Sequence, residues 1–137
     1  MKSIAAIAKS ATVQDAARRM EKQRVGHLLV LDARKKPVGL VTDRDLTLRV
    51  IAAGKDPART TVAKVMSAPL ATASIDEPLD AWLLKMESRG IRHLAIVDRA
   101  KVVRIVTIEE LLCELGREIG DLGLAVTARS RTRGTRK

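Results

Sequence analysis

At 137 residues the chain has the length of a single domain, and 46% hydrophobic with 31% charged residues is an ordinary globular balance. The formal net charge is +10, unevenly spread: after Asp121 there is no acidic residue, while Arg129, Arg131, Arg133, Arg136 and Lys137 crowd the end. The lone cysteine, Cys113, excludes an internal disulfide and a cysteine-based zinc site, and no stretch approaches the roughly 18 apolar residues of a membrane span.

The first apolar run, residues 4–8, is broken by Lys9 and is too short for the core of a signal peptide, so a soluble cytoplasmic protein is expected. With no Phe, no Tyr and one Trp, the core must be aliphatic, which suits close packing of helices on sheets. In chain order, residues 4–7 read as a short strand. Val13, Ala16, Ala17 and Met20 recur at helical spacing, with Thr12 as N-cap and Asp15 three residues on. Residues 27–32 form an apolar run of strand length. A basic turn containing Pro37 leads to a partner strand at 38–42. From Asp43 the period turns helical again through Leu46, Val50 and Ala53, stopped by Gly54 and Pro57.

Residues 61–66 read as a helical turn within the module. A short strand at 70–73 precedes a helix carrying Leu79, Trp82, Leu83 and Met86, with Asp76 as cap and Pro78 in the first turn. Strands at 92–98 and 102–107 follow, and then a helix carrying Ile108, Leu111, Leu112 and Leu115. Residues 116–127, with Gly116, Gly120 and Gly123 among apolar positions, either extend the last helix or wrap a neighbour, and residues 122–137 read as a basic, unstructured tail.

The chain repeats itself. Shifted by 66 positions, Met20-Glu21 falls on Met86-Glu87, His27-Leu28 on His93-Leu94, and Asp32 on Asp98. After one residue is lost in the turn, Leu40-Val41-Thr42 falls on Ile105-Val106-Thr107. Each copy is β-α-β-β-α over roughly 60 residues, a size that is marginal alone. The expected fold is therefore α+β: repeat 1 at 1–60 and repeat 2 at 61–121, packed sheet to sheet about a pseudo-two-fold axis.

The run from Val38 to Leu46, the run from Ile91 to Asp98, and the stretch from Thr42 through Ala53-Gly-Lys-Asp-Pro57 to Met66 resemble CBS domains, in particular small bacterial CBS-pair proteins. The resemblance implies a regulatory module that senses an adenosine-containing ligand such as AMP, ADP, ATP or S-adenosylmethionine in clefts between the repeats. It implies no required cofactor, no catalysis, a homodimer and an unidentified regulated protein.

The family motif Gly-x-x-Thr-x-x-Asp falls on Gly39, Thr42 and Asp45. Gly39 would admit the ligand to the backbone, Thr42 stands where a strand feeds a helix N-terminus, and Asp45 offers acceptors for ribose hydroxyls. Leu40 and Ala6 would flank the base, and His27, Arg44, Arg92 and His93 are the phosphate candidates. The second copy departs from the motif. Arg104 replaces the glycine and Glu110 the aspartate, while Thr107 is kept, so the second site (Thr72, Arg104, Ile105, Thr107, Glu110) is expected to be degenerate.

Plainer readings stand beside these. Thr42-x-x-Asp45 and Thr107-x-x-Glu110 both have capping-box spacing without any ligand. The histidines suit polar strand ends better than a metal pair. Trp82 is a core residue or a dimer contact, and Cys113 a small buried hydrophobe. No nucleophile–base pair is present. Two alternatives to ligand sensing remain: a ligand-free dimerisation or adaptor protein, and nucleic-acid binding through the basic tail, against which the absence of Tyr and Phe counts.

Overall fold

The computed structural model describes the backbone of residues 3–134 and the side chains of residues 3–121. The first repeat comprises β1 (Ala6–Ala8), α1 (Val13–Gln23), β2 (His27–Leu31), β3 (Pro37–Thr42) and α2 (Asp43–Leu46), which continues as a π-helical turn, Thr47–Ile51. After α3 (Val62–Val65), the second repeat comprises β4 (Thr72–Ser74), α4 (Leu79–Arg89), β5 (His93–Asp98), β6 (Lys101–Thr107) and α5 (Ile108–Gly134). Each repeat forms a three-stranded sheet with the same order: the first strand parallel to the second, and the second antiparallel to the third.

The register confirms the repeat residue by residue. His27 pairs with Thr42 as His93 pairs with Thr107, and Val30 pairs with Gly39 as Ile96 pairs with Arg104. Three apolar clusters divide the interior. In one, Ile7, Val13, Ala16, Met20, Leu28, Val30 and Val41 join α1 to the first sheet, and Val62 and Val65 of α3 complete it. In the second, Ala73, Met86, Leu94, Ile96, Val106 and Leu111 do the same for α4, α5 and the second sheet. The third, Leu29, Leu40, Ala95 and Ile105, lies between the two sheets. Strand residues alternate between their own helices and the opposite sheet, because successive side chains leave opposite faces. The sheet-to-sheet packing expected from the repeat is thus present.

Caps explain where helices begin. The Thr12 hydroxyl accepts from the Asp15 N–H, and α1 ends on Arg24 in the left-handed region (φ 55°). In the second repeat the helix starts one residue after Pro78, and Asp76 is not its cap. The Asp76 N–H instead donates to Ser74 Oγ, and Glu77 accepts from the Ser74 N–H, so both residues are held in the turn after β4. The first strands lie one or two residues later than the apolar runs suggested, since Lys9 N–H still bonds to Leu31 O and extends the β1 ladder.

Two expectations are corrected. Cys113 is exposed, because on α5 the buried position is Leu111 and a step of two residues turns the side chain outward. The segment read as an unstructured tail is helical as far as Gly134, so the last helix does extend through 116–127, one of the two readings of that stretch: Leu122, Leu124, Ala125, Ala128 and the arginines are good helix formers, and propensity prevails there over the missing apolar period. The side chains of that segment, and residues 135–137, lie outside the described residues. Trp82 packs against the second helix–sheet core, and its indole N–H donates to Ser74 O. No described helix is long and apolar enough to cross a membrane.

Candidate functional site

A cleft of about 850 Å³ opens between the two repeats, within the size range of small-molecule pockets. His27, Thr42 and Arg44 enter it from the first repeat, and Arg92, His93, Thr107 and Glu110 from the second. Leu40, Ala95, Leu70 and Ala71 supply apolar wall. The sheet registers dictate this convergence. Each histidine opens a central strand opposite the threonine that ends its neighbour, and facing sheets bring the two pairs to one place.

At the centre the imidazoles of His27 and His93 meet edge to face, with ring centres 5.2 Å apart and planes at 63°. Burial holds both below the ordinary histidine pKa. For His27 the carboxylates of Glu110 and Asp43 oppose that shift. For His93 the charge of His27 adds to it, while Glu109, Asp43 and Asp45 oppose it. Two imidazolium charges at this separation repel by between about 1 kcal/mol in water and about 3 kcal/mol at a protein-like dielectric of ~20. The pair therefore accepts one proton far more readily than two.

Thr42 and Asp45 form a complete capping box. The Thr42 hydroxyl accepts from the Asp45 N–H at 3.2 Å, and Asp45 Oδ2 accepts from the Thr42 N–H at 3.0 Å. Asp45 is buried behind Thr42, its Oδ1 facing Ser67 Oγ at 3.5 Å and Arg49 Nε at 3.8 Å. In the second repeat only half of this exists among the described residues. The Thr107 hydroxyl accepts from the Glu110 N–H, but the Glu110 carboxylate turns to Arg104 at 3.9 Å. Arg92 is hydrogen-bonded to Glu109, a contact that holds the Glu109 carboxyl below its usual pKa. Arg44 is exposed and makes none of the ion pairs found among the described residues.

Of the expected residues, His27, Leu40, Thr42, Arg44, Arg92 and His93 line the cleft, as do Thr107 and Glu110 of the second set. Ala6, Gly39, Asp45, Thr72, Arg104 and Ile105 do not. Ala6 and Ile105 pack between the sheets, and Thr72 is exposed.

Gly39 has another reason for being glycine. A Cβ there would stand 2.7 Å from the Ser67 carbonyl oxygen and 3.0 Å from Met66 Sδ. Leu40 and Ser67 exchange backbone hydrogen bonds across that contact, so the missing Cβ at Gly39 makes room for the chain itself. Arg104, its counterpart, is exposed and has no such crossing among the described residues.

The sequence reading missed the wall made by Ser67, Pro69, Leu70 and Ala71, together with Asp43, Arg49 and Glu109. One signal for the wall was present: Leu70 aligns with Ile4, and the segment before β4 must cross to the second sheet past the end of β3. Arg49, one turn after Asp45, ties that crossing down by donating to the carbonyls of Val65 and Met66.

A sequence model of the CBS domain matches residues 1–51 and again 62–117. The chain is 31% identical over 102 residues to the uncharacterized protein MK0525 of Methanopyrus kandleri, covering 74% of this chain and 52% of that one. It spans about half the length of that relative and 19% of two Arabidopsis thaliana CBS domain-containing proteins that also match. Among solved structures it resembles an uncharacterized conserved protein of Pyrococcus horikoshii, with TM-score 0.77, 34% identity and coverage of 85% and 87% of the two chains. The CBS domain protein PAE2072 of Pyrobaculum aerophilum, solved in complex with AMP, shares the fold at TM-score 0.72 and 24% identity, over 85% of this chain and 94% of that one.

Proposed function

Because the chain belongs to the CBS-domain family, whose members are regulatory modules, we propose that it senses an adenosine-containing nucleotide in the cleft between its repeats and has no catalysis of its own. The observation that carries the reading is the polarity of the cleft. Leu40, Ala71 and Ala95 offer an apolar berth for a base, while Thr42, Arg44, His27 and His93 bring donors together for phosphate. Asp45, buried behind Thr42 and outside the cleft lining, supports the site by fixing Thr42 through its Oδ2 and by facing Ser67 and Arg49 through its Oδ1. The AMP held by the Pyrobaculum protein supports the ligand class. The second motif, with Glu110 drawn to Arg104, contributes groups to the same cleft instead of a second equivalent site. A homodimer and an as yet unidentified regulated protein complete the reading.

The test is a thermal melt with AMP, ADP, ATP and S-adenosylmethionine for the wild type and Arg44→Glu. A ligand at about 100 times its Kd should add roughly 2.7 kcal/mol. The reading expects at least one of the four to raise the melting temperature, and Arg44→Glu to lose most of that rise while melting like wild type alone. No rise with any of them overturns it.

A further inference from the structure

We propose that the His27–His93 pair couples occupancy of the cleft by a phosphate-bearing ligand to the uptake of one proton, so that this site reads pH and ligand together. The ligand class rests on the function proposed above; the proton does not.

The chain has two histidines, and the fold sets them ring against ring from opposite sheets inside the cleft. The charges around them are unusually self-cancelling. From α2 come Asp43, Arg44 and, behind Thr42, Asp45; from the turn after α1 comes Arg24; from the π-helical turn comes Arg49; from just before β5 comes Arg92; and from α5 come Glu109 and Glu110. Arg92 is taken by Glu109, Arg49 leans on Asp45, and Glu110 leans on Arg104.

An anion entering here thus meets several carboxylates and cations already in partnership; among the described residues Arg24, Arg44 and Asp43 of the cleft wall make no ion pair, which leaves about one unspent positive charge beside the histidines. A neutral imidazole pair can present donors but no charge. Adding one proton supplies both a further N–H and a positive charge at the centre of the cleft, where the phosphate would sit. Repulsion between the rings stops the uptake at one. Without an anion, burial opposes charging of the half-buried pair. The anion and the proton therefore each favour the other's binding, and the coupling is reciprocal.

The test follows the two imidazole Cε1–H signals of the full chain by proton NMR, assigned with His27→Gln and His93→Gln. They are titrated across neutral and mildly acidic pH alone, with saturating AMP, and with saturating pyrophosphate as a plain anion probe. The expected result is an upward move of at least one midpoint with either ligand. In addition, AMP affinity should fall by up to tenfold per pH unit between about pH 7, above which the phosphate is mostly dianionic, and the raised histidine midpoint.

Midpoints that do not move while Thr42 and Thr107 amide shifts report an occupied cleft overturn the coupling and leave the nucleotide reading intact. Midpoints moved by pyrophosphate with no response to AMP sustain the coupling and remove the nucleotide. Midpoints moved by neither ligand, with no amide response, overturn both.

Discussion

The Cα of Gly39 lies so close to the Ser67 carbonyl oxygen that an added Cβ would stand 2.7 Å from it. The neighbour is backbone, fixed by the paired hydrogen bonds between Leu40 and Ser67 at 3.0 and 2.8 Å, so it cannot rotate away as a side chain would. Gly39→Ala is expected to destabilise the chain by about 1–3 kcal/mol through overpacking, measured by urea unfolding. Arg104→Gly at the equivalent position should show no comparable steric effect, because that position is exposed.

The two capping boxes should also differ. Asp45→Ala removes both the reciprocal bond to the Thr42 N–H and the acceptor facing Ser67, and is expected to cost about 1–2 kcal/mol. Glu110→Ala removes only a long, half-exposed contact to Arg104 and should stay within about 0.5 kcal/mol. Equal losses for the two variants would show that the asymmetry between the repeats is not structural.

Much of this was legible in the sequence, for a physical reason. A repeat with strand and helix periods reveals its own register, so the sandwich and the equivalence of His27 and His93 at strand starts follow once the two copies are aligned, while their ring contact is seen only in the structure. The capping reading of Thr42-x-x-Asp45 was likewise available from its spacing. What was not legible depends on chain crossing. Gly39 satisfies a ligand motif and a close backbone approach equally well, and only the position of Ser67 distinguishes them. Ser67, Pro69 and Ala71 carry no signature, because they serve by where the connection runs. Cys113 was misplaced for a simpler reason: a run of apolar residues at 111–113 does not say which one faces inward, and the packing selects Leu111.

That selection is testable. Leu111 is fully buried while Leu112 is 54% exposed. Leu111→Ala is expected to cost about 2–5 kcal/mol, whereas Leu112→Ala should stay within about 0.5 kcal/mol in the monomer. A reversed order in denaturant melts would mean that α5 is rotated on its sheet.

The histidine pair predicts the pH response of the ligand-free chain. Both groups are held below their ordinary value of 6.5 in the folded state. Between that depressed value and 6.5 the unfolded chain binds more protons than the folded one, so stability falls as pH falls through this window. Urea midpoints should drop from about pH 7.5 to about pH 5.5, above the range where carboxylates titrate. The His27→Gln, His93→Gln double variant should flatten the slope. Glu77 and Glu109, held low by hydrogen bonds from the Ser74 N–H and Arg92, contribute in the opposite, more acid region, and their share is lost only as pH falls below about 4.5.

The nucleotide-sensing claim itself is met most directly by a native mass spectrum of the full chain, as purified and after addition of AMP. A single adenosine-bearing ligand per chain is expected, either carried through purification or taken up from the added AMP, and its loss in Arg44→Glu, whose site lies on the cleft wall. A spectrum of the bare chain at millimolar AMP, or equal uptake by wild type and Arg44→Glu, would contradict it.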